Sequence, residues 1–174
     1  MPMQTERRKL AGASVRETRR QRVFLTFAAG DLAQARPMAA RLTAGGGLAL
    51  DHGFTSEPFT GMRGDIIRAS LLARLSHCAS ALCLYGARTA DDDWVRWALE
   101  TAAELRLPLL GAALPGDDRW ASERYLSRLG AELLPLDRDD IVARTRTLAS
   151  RPVRPALDAA SIAETLHFMR HPIR

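Results

Sequence analysis

The stretch from Ser80 to Glu100 constrains the fold more than any other part of the chain. Residues 81–85 are short and wholly apolar, which predicts a buried strand; residues 86–92 form a polar loop, and an acidic residue then caps a helix carrying Trp94 and Trp97. A strand that feeds a loop and then a helix start is the repeating step of an open α/β sheet. Ligands of such sheets bind beyond the carboxyl ends of the strands, so residues 86–94 are where chemistry is expected.

The rest of the chain supplies similar steps. Residues 22–27 are a run of β-formers followed by Gly30-Asp31, a turn with Asp31 as helix cap. Leu32, Ala35, Ala39 and Leu42 recur at helical spacing until three glycines stop the helix at 45–47, and a short strand follows over 48–50. Residues 51–64 read as a long loop with Phe54 and Phe59 among polar residues, and loops of that length are usually functional or mobile. A helix is expected over 65–76 from Ile66, Ile67, Leu71 and Leu75, and a second over 92–105. A strand over 107–114 contains Pro108, a helix capped by Asp117 or Asp118 runs to Leu129, a strand covers 132–136, and a helix covers 139–149. Five β/α units in sequence predict an α/β, flavodoxin-like fold: about five parallel strands with helices on both faces.

The organisation is thus a basic extension over 1–21, one domain over 22–149, and a tail over 150–174. That tail holds Pro152, Pro155 and Pro172 around a helix expected over 156–169, whose Ile162, Leu166 and Met169 would dock on the domain. Apolar residues make up 47% and charged residues 26% of the chain, ordinary for a globular protein, and no apolar run approaches the ~20 residues that span a bilayer. No membrane partner is expected, and the absence of a secretory leader pattern places the chain in the cytoplasm. The net charge of +5 is largely a property of the leading segment, with Arg7, Arg8, Lys9, Arg16, Arg19, Arg20 and Arg22, so nucleic acid is not the expected partner. Cys78 and Cys83 lie five residues apart and would face opposite sides of a strand, which argues against a disulfide. His52, His77, His167 and His171 show no metal-ligand spacing with cysteine, so no metal is expected.

Several of these pieces together resemble a known family. They are Val23-Phe24-Leu25-Thr26-Phe27 with Asp31, the loop from Asp51 with Ser56-Glu57-Pro58, Leu84-Tyr85-Gly86 with Thr89, and Trp94-Val95-Arg96-Trp97-Ala98-Leu99. In order and spacing they resemble the TIR-like domain of the Thoeris antiphage system, its B-type component, over about residues 22–149. The resemblance implies a TIR-type fold, self-association through contacts between such domains, and a defence effector as partner. It also implies NAD as a substrate, with no permanently bound cofactor: the nicotinamide N-glycosidic bond is cleaved and an ADP-ribose-derived signal results. The implied pocket is Phe27, Asp31, Asp51, Ser56, Glu57, Gly86, Thr89 and Trp94.

Such cleavage passes through an oxocarbenium-like transition state, and a carboxylate beside the ribose stabilises its positive charge. In the family this is the Glu following the Trp-Val-x-aromatic run, and the aligned residue here is Ala98. A methyl group cannot do that work. Glu100 is the catalytic candidate on the same helix, yet at about 100° per residue it lies roughly 200° around from Ala98 and is better placed to pair with Arg96. Asp51, Glu57, Asp91, Asp92 and Asp93 are the other acids that could reach the pocket, and a second copy could import one. Two readings follow: an NAD-consuming enzyme, or a noncatalytic nucleotide-binding or protein-interaction module built on the same loops.

Overall fold

The computed structural model describes residues 22–53, 55–149 and 157–170. The basic extension over 1–21, Phe54, Pro152, Pro155 and Pro172 lie outside them. Five strands, β1 (Arg22–Thr26), β2 (Ala49–His52), β3 (Ser80–Tyr85), β4 (Leu109–Ala113) and β5 (Glu132–Leu134), form one sheet in the order β2-β1-β3-β4-β5, with every pair parallel. The helices between and after them are α1 (Leu32–Thr43), α2 (Gly61–Ser76), α3 (Asp93–Glu104), α4 (Trp120–Arg128), α5 (Arg138–Ala149) and α6 (Ala159–Arg170). This is the expected flavodoxin-like plan.

The two sheet faces follow from the two-residue period of the strands. Val23, Leu25, Leu82, Leu84, Leu110 and Ala112 pack with Ala35, Leu42, Ile141 and Leu148, which places α1 and α5 on one face. Phe24 and Ala81 pack with Leu71, Leu75, Trp94, Ala98 and Ala102, while Cys83 and Tyr85 meet Val95, Leu99 and Leu126, so α2, α3 and α4 cover the other. All six residues of β3 are buried, as a central parallel strand covered on both faces requires. Both cysteines are free and buried; burial is the largest cause pushing the Cys78 thiol up to about 12, and it raises Cys83 as well.

Where the elements differ from expectation, the cause is local. β4 begins at Leu109 and β5 ends at Leu134 because Pro108 and Pro135 have no N–H to give the ladder. β2 starts one residue late and runs on through His52, since the Leu48 N–H is used by the Leu42 carbonyl at 2.8 Å. The cap expected at Asp117 or Asp118 is absent: Asp118 takes a left-handed φ of 64°, and α4 starts at Trp120 behind Arg119 with no side-chain cap. The largest correction is α2, which starts at Gly61 rather than at residue 65. Gly64 reads as a loop glycine but serves close packing, because a Cβ there would sit 2.1 Å from the Phe59 carbonyl oxygen. The loop expected over 51–64 therefore shrinks to 53–60. α6 packs against α2, in line with docking of the tail on its own domain.

Candidate functional site

In the order β2-β1-β3-β4-β5 the connections after β1 and β3 leave to opposite faces, and the crevice between their carboxyl ends is where such sheets bind ligands. Here the chain's own groups fill much of that crevice. The Gly86 N–H donates to Thr89 Oγ1 at 2.9 Å, and the Gly86 carbonyl accepts from Ser122 Oγ at 2.7 Å. The absence of a side chain at Gly86 leaves room for the Asp31 carboxylate, since a Cβ would lie 2.7 Å from Asp31 Oδ2 and push it aside. Ser122 also accepts from the Ala90 N–H at 3.3 Å, tying the loop after β3 to α4.

Asp92 sets the start of α3. Its Oδ1 accepts from the N–H groups of Trp94 and Val95, both at 3.0 Å, which is the cap the sequence predicts. Its Oδ2 reaches across the crevice to the Ala29 N–H at 3.1 Å, locking the loop after β1 to α3. Asp31 caps nothing: its side chain makes no bond to α1, and Oδ2 is enclosed against Gly86 without a hydrogen-bond partner. Burial is the main cause holding its carboxyl above the ordinary range; Arg88 opposes the shift and Asp92 adds to it. The residue as a whole is only half-buried, so the cost sits on one oxygen.

That carboxyl yields a pH prediction. A folded pKa above the unfolded value of about 3.9 means a contribution to stability that is full below that value and lost as pH rises through the folded one. Asp31→Asn is therefore expected to stabilise the protein near neutral pH relative to the native chain, with the advantage shrinking on acidification toward pH ~4. Urea midpoints across that range check it, and an advantage that grows on acidification would reverse the assignment.

Some of the implied pocket residues are in direct contact, and others are engaged elsewhere. Asp31, Gly86 and Thr89 share the crevice, whereas Phe27 is a core residue of the α1/α5 face. Asp51 sits on β2 between Arg22 at 3.9 Å and Arg74 at 3.8 Å. Ser56 is exposed, and the Glu57 carboxylate faces Arg63 at 3.1 Å. Trp94 is 6% exposed, its indole N–H donating to the Glu57 carbonyl at 2.6 Å and its ring standing edge-on to Phe59 with centroids 4.9 Å apart. The indole is committed to packing and to holding the loop over 53–60.

Ala98 is 1% exposed beneath Trp94, among Phe24, Leu71, Leu75 and Ala102. Glu100 points to solvent, as the helical period requires, and accepts from the Tyr125 hydroxyl at 3.1 Å with Arg96 at 4.0 Å. Burial, then Glu100 itself, raises the Tyr125 phenol. Glu100 lines a separate groove between α2, α3 and α6, which neither Ala98 nor any crevice residue lines. The Ser122, Arg88 and Tyr125 contacts carry no sequence signal, since they join residues far apart in the chain. Among the described residues no group of three or more His, Cys, Asp or Glu could hold a metal, and no helix is long and apolar enough to cross a membrane.

Sheet order and crevice define a doubly wound, flavodoxin-like α/β domain. A scan against protein-family models finds no match to the chain, and a search of curated proteins finds none either.

Proposed function

We propose that this chain is a degenerate TIR-like domain of Thoeris-type antiphage defence, acting as a noncatalytic interaction module that does not cleave NAD. The observation that carries the reading is Ala98. Glycosidic cleavage needs a carboxylate against the ribose as positive charge develops, and the aligned position holds a methyl group enclosed in the core. The second acid of that helix, Glu100, is turned outward and engaged by Tyr125. The Gly86 backbone, which an approaching nucleotide would use, is engaged by Thr89 and Ser122. What remains is an α/β body whose loops present surface to a partner such as a defence effector or a second copy.

Purified protein at high concentration is expected to release no nicotinamide from NAD by chromatography, and NAD is expected to leave its melting temperature unchanged. Release that disappears in Glu100→Ala would establish the enzyme reading with Glu100 as the acid. A melting shift without release would mean that the crevice opens to bind a nucleotide.

A further inference from the structure

The groove between α2, α3 and α6 has a volume of about 1040 Å³ and is lined by Phe59, Trp97, Leu105 and Leu166. Three glutamates stand in it, Glu100 and Glu104 from α3 and Glu164 from α6. The cation in its lining, Arg68, is already engaged by Asp65 and by the Phe59 carbonyl at 2.7 Å. Among the described residues Glu104 and Glu164 form no ion pair. Burial, and then the neighbouring Glu100, pushes the Glu104 carboxyl above its ordinary range, a cost that an incoming cation would offset.

The complementary charge lies in the chain itself. Residues 1–21 contain six basic and two acidic residues, so they hold four of the five net positive charges. This segment joins the fold at Arg22, whose carbonyl accepts from the Ala79 N–H at 2.8 Å just beyond the end of α2, the helix that forms one wall of the groove. Between Lys9 and Arg22 the chain can span about 43 Å when extended, against about 24 Å for the length of α2. Reach is therefore ample, and charge, together with the aromatic and apolar lining, favours the groove.

We propose that the basic run Arg7-Arg8-Lys9 docks in this groove of its own chain, with its cations on Glu104 and Glu164 and its aliphatic stems along Trp97 and Leu166. Guanidinium and ammonium groups suit such a place, because acids fix the charge while an aromatic face and apolar walls take the stems. The proposal does not depend on whether the chain cleaves NAD.

Lys9 is the only lysine in the sequence, which makes the test specific. A carbodiimide joins an amine to a carboxylate as an amide with loss of one water, adding no spacer. Applied to the full chain at low salt and read by peptide mass spectrometry, it is expected to bridge Lys9 to Glu104 or Glu164 within one chain. The yield should fall several-fold at ~1 M salt, where the Debye length is about 3 Å. It should fall likewise in Arg7→Glu/Arg8→Glu, which keeps Lys9 reactive and alters no residue of the described fold. No bridge at low salt, bridges chiefly to other carboxylates, insensitivity to the double substitution, or bridges only between isotopically distinct chains mixed beforehand would each overturn it.

Discussion

Ala98→Glu is expected to destabilise the protein severely rather than to restore a catalyst. Position 98 is 1% exposed and packed against Phe24, Leu71, Leu75, Trp94 and Ala102. A glutamate there adds bulk to a filled core and carries a carboxylate away from water with no described cation among those neighbours. An unpaired buried charge costs about 3–5 kcal/mol, a large share of the roughly 5–15 kcal/mol that stabilises a domain. The sign of the pH dependence separates charge from bulk. Burial would raise the new carboxyl in the folded state, so its charge penalty is absent below the unfolded value of about 4.3 and grows as pH rises toward the folded one. The deficit in urea midpoint relative to the native protein should therefore widen between pH ~4 and pH ~7, whereas in Ala98→Leu it should stay level. A stable Ala98→Glu protein that releases nicotinamide would sink this expectation, while agreeing with a degenerate domain whose catalyst has been lost; nicotinamide release by the native protein is what would sink the proposed function.

The layering of the fold was legible because it is written in short-range patterns. Residues 81–85 read as a buried strand from their apolar run, and the 100° helical step turns Glu100 away from the face that Ala98 shares with Trp94. The strands were overdrawn where proline removes a ladder donor, at Pro108 and Pro135. The α2 start was missed because glycine signals two different things: at Gly64 it meets the Phe59 carbonyl rather than making a turn. The site was less legible than the fold. An acidic cap before the helix could be read from the sequence, but the second oxygen of Asp92 on Ala29 joins residues 63 apart. The Ser122 bond to Gly86 likewise spans 36 residues, and no local pattern encodes such a closure. Asp31 looked like a helix cap by type and place, yet the approach of β3 fixed its side chain against Gly86. Spacing from a family pattern put Phe27, Asp51 and Trp94 in one pocket, while in the structure core packing, ion pairing and an indole hydrogen bond engage their side chains.

Trp94→Ala should cost about 3–5 kcal/mol and free the loop over 53–60, because one side chain carries both functions. The ring fills the interface between the sheet and α3, and its removal leaves a cavity beneath Phe59. Phe59 in turn supports the Arg68 guanidinium 4.8 Å from its ring centroid, and its carbonyl is closely met by Gly64, so the start of α2 rests on the same contact chain. Trp94→Phe retains most of the packing but removes the donor to the Glu57 carbonyl. Glu57 is exposed and water can replace that bond, so the loss should be nearer ~1 kcal/mol. Denaturant midpoints measure the two costs, and amide exchange over residues 55–60 measures loop release, which should accelerate in both variants and most in Trp94→Ala. If Trp94→Ala lost under ~1 kcal/mol, or its loop exchanged no faster than in the native protein, the indole would not be the pin that joins α3 to the start of α2.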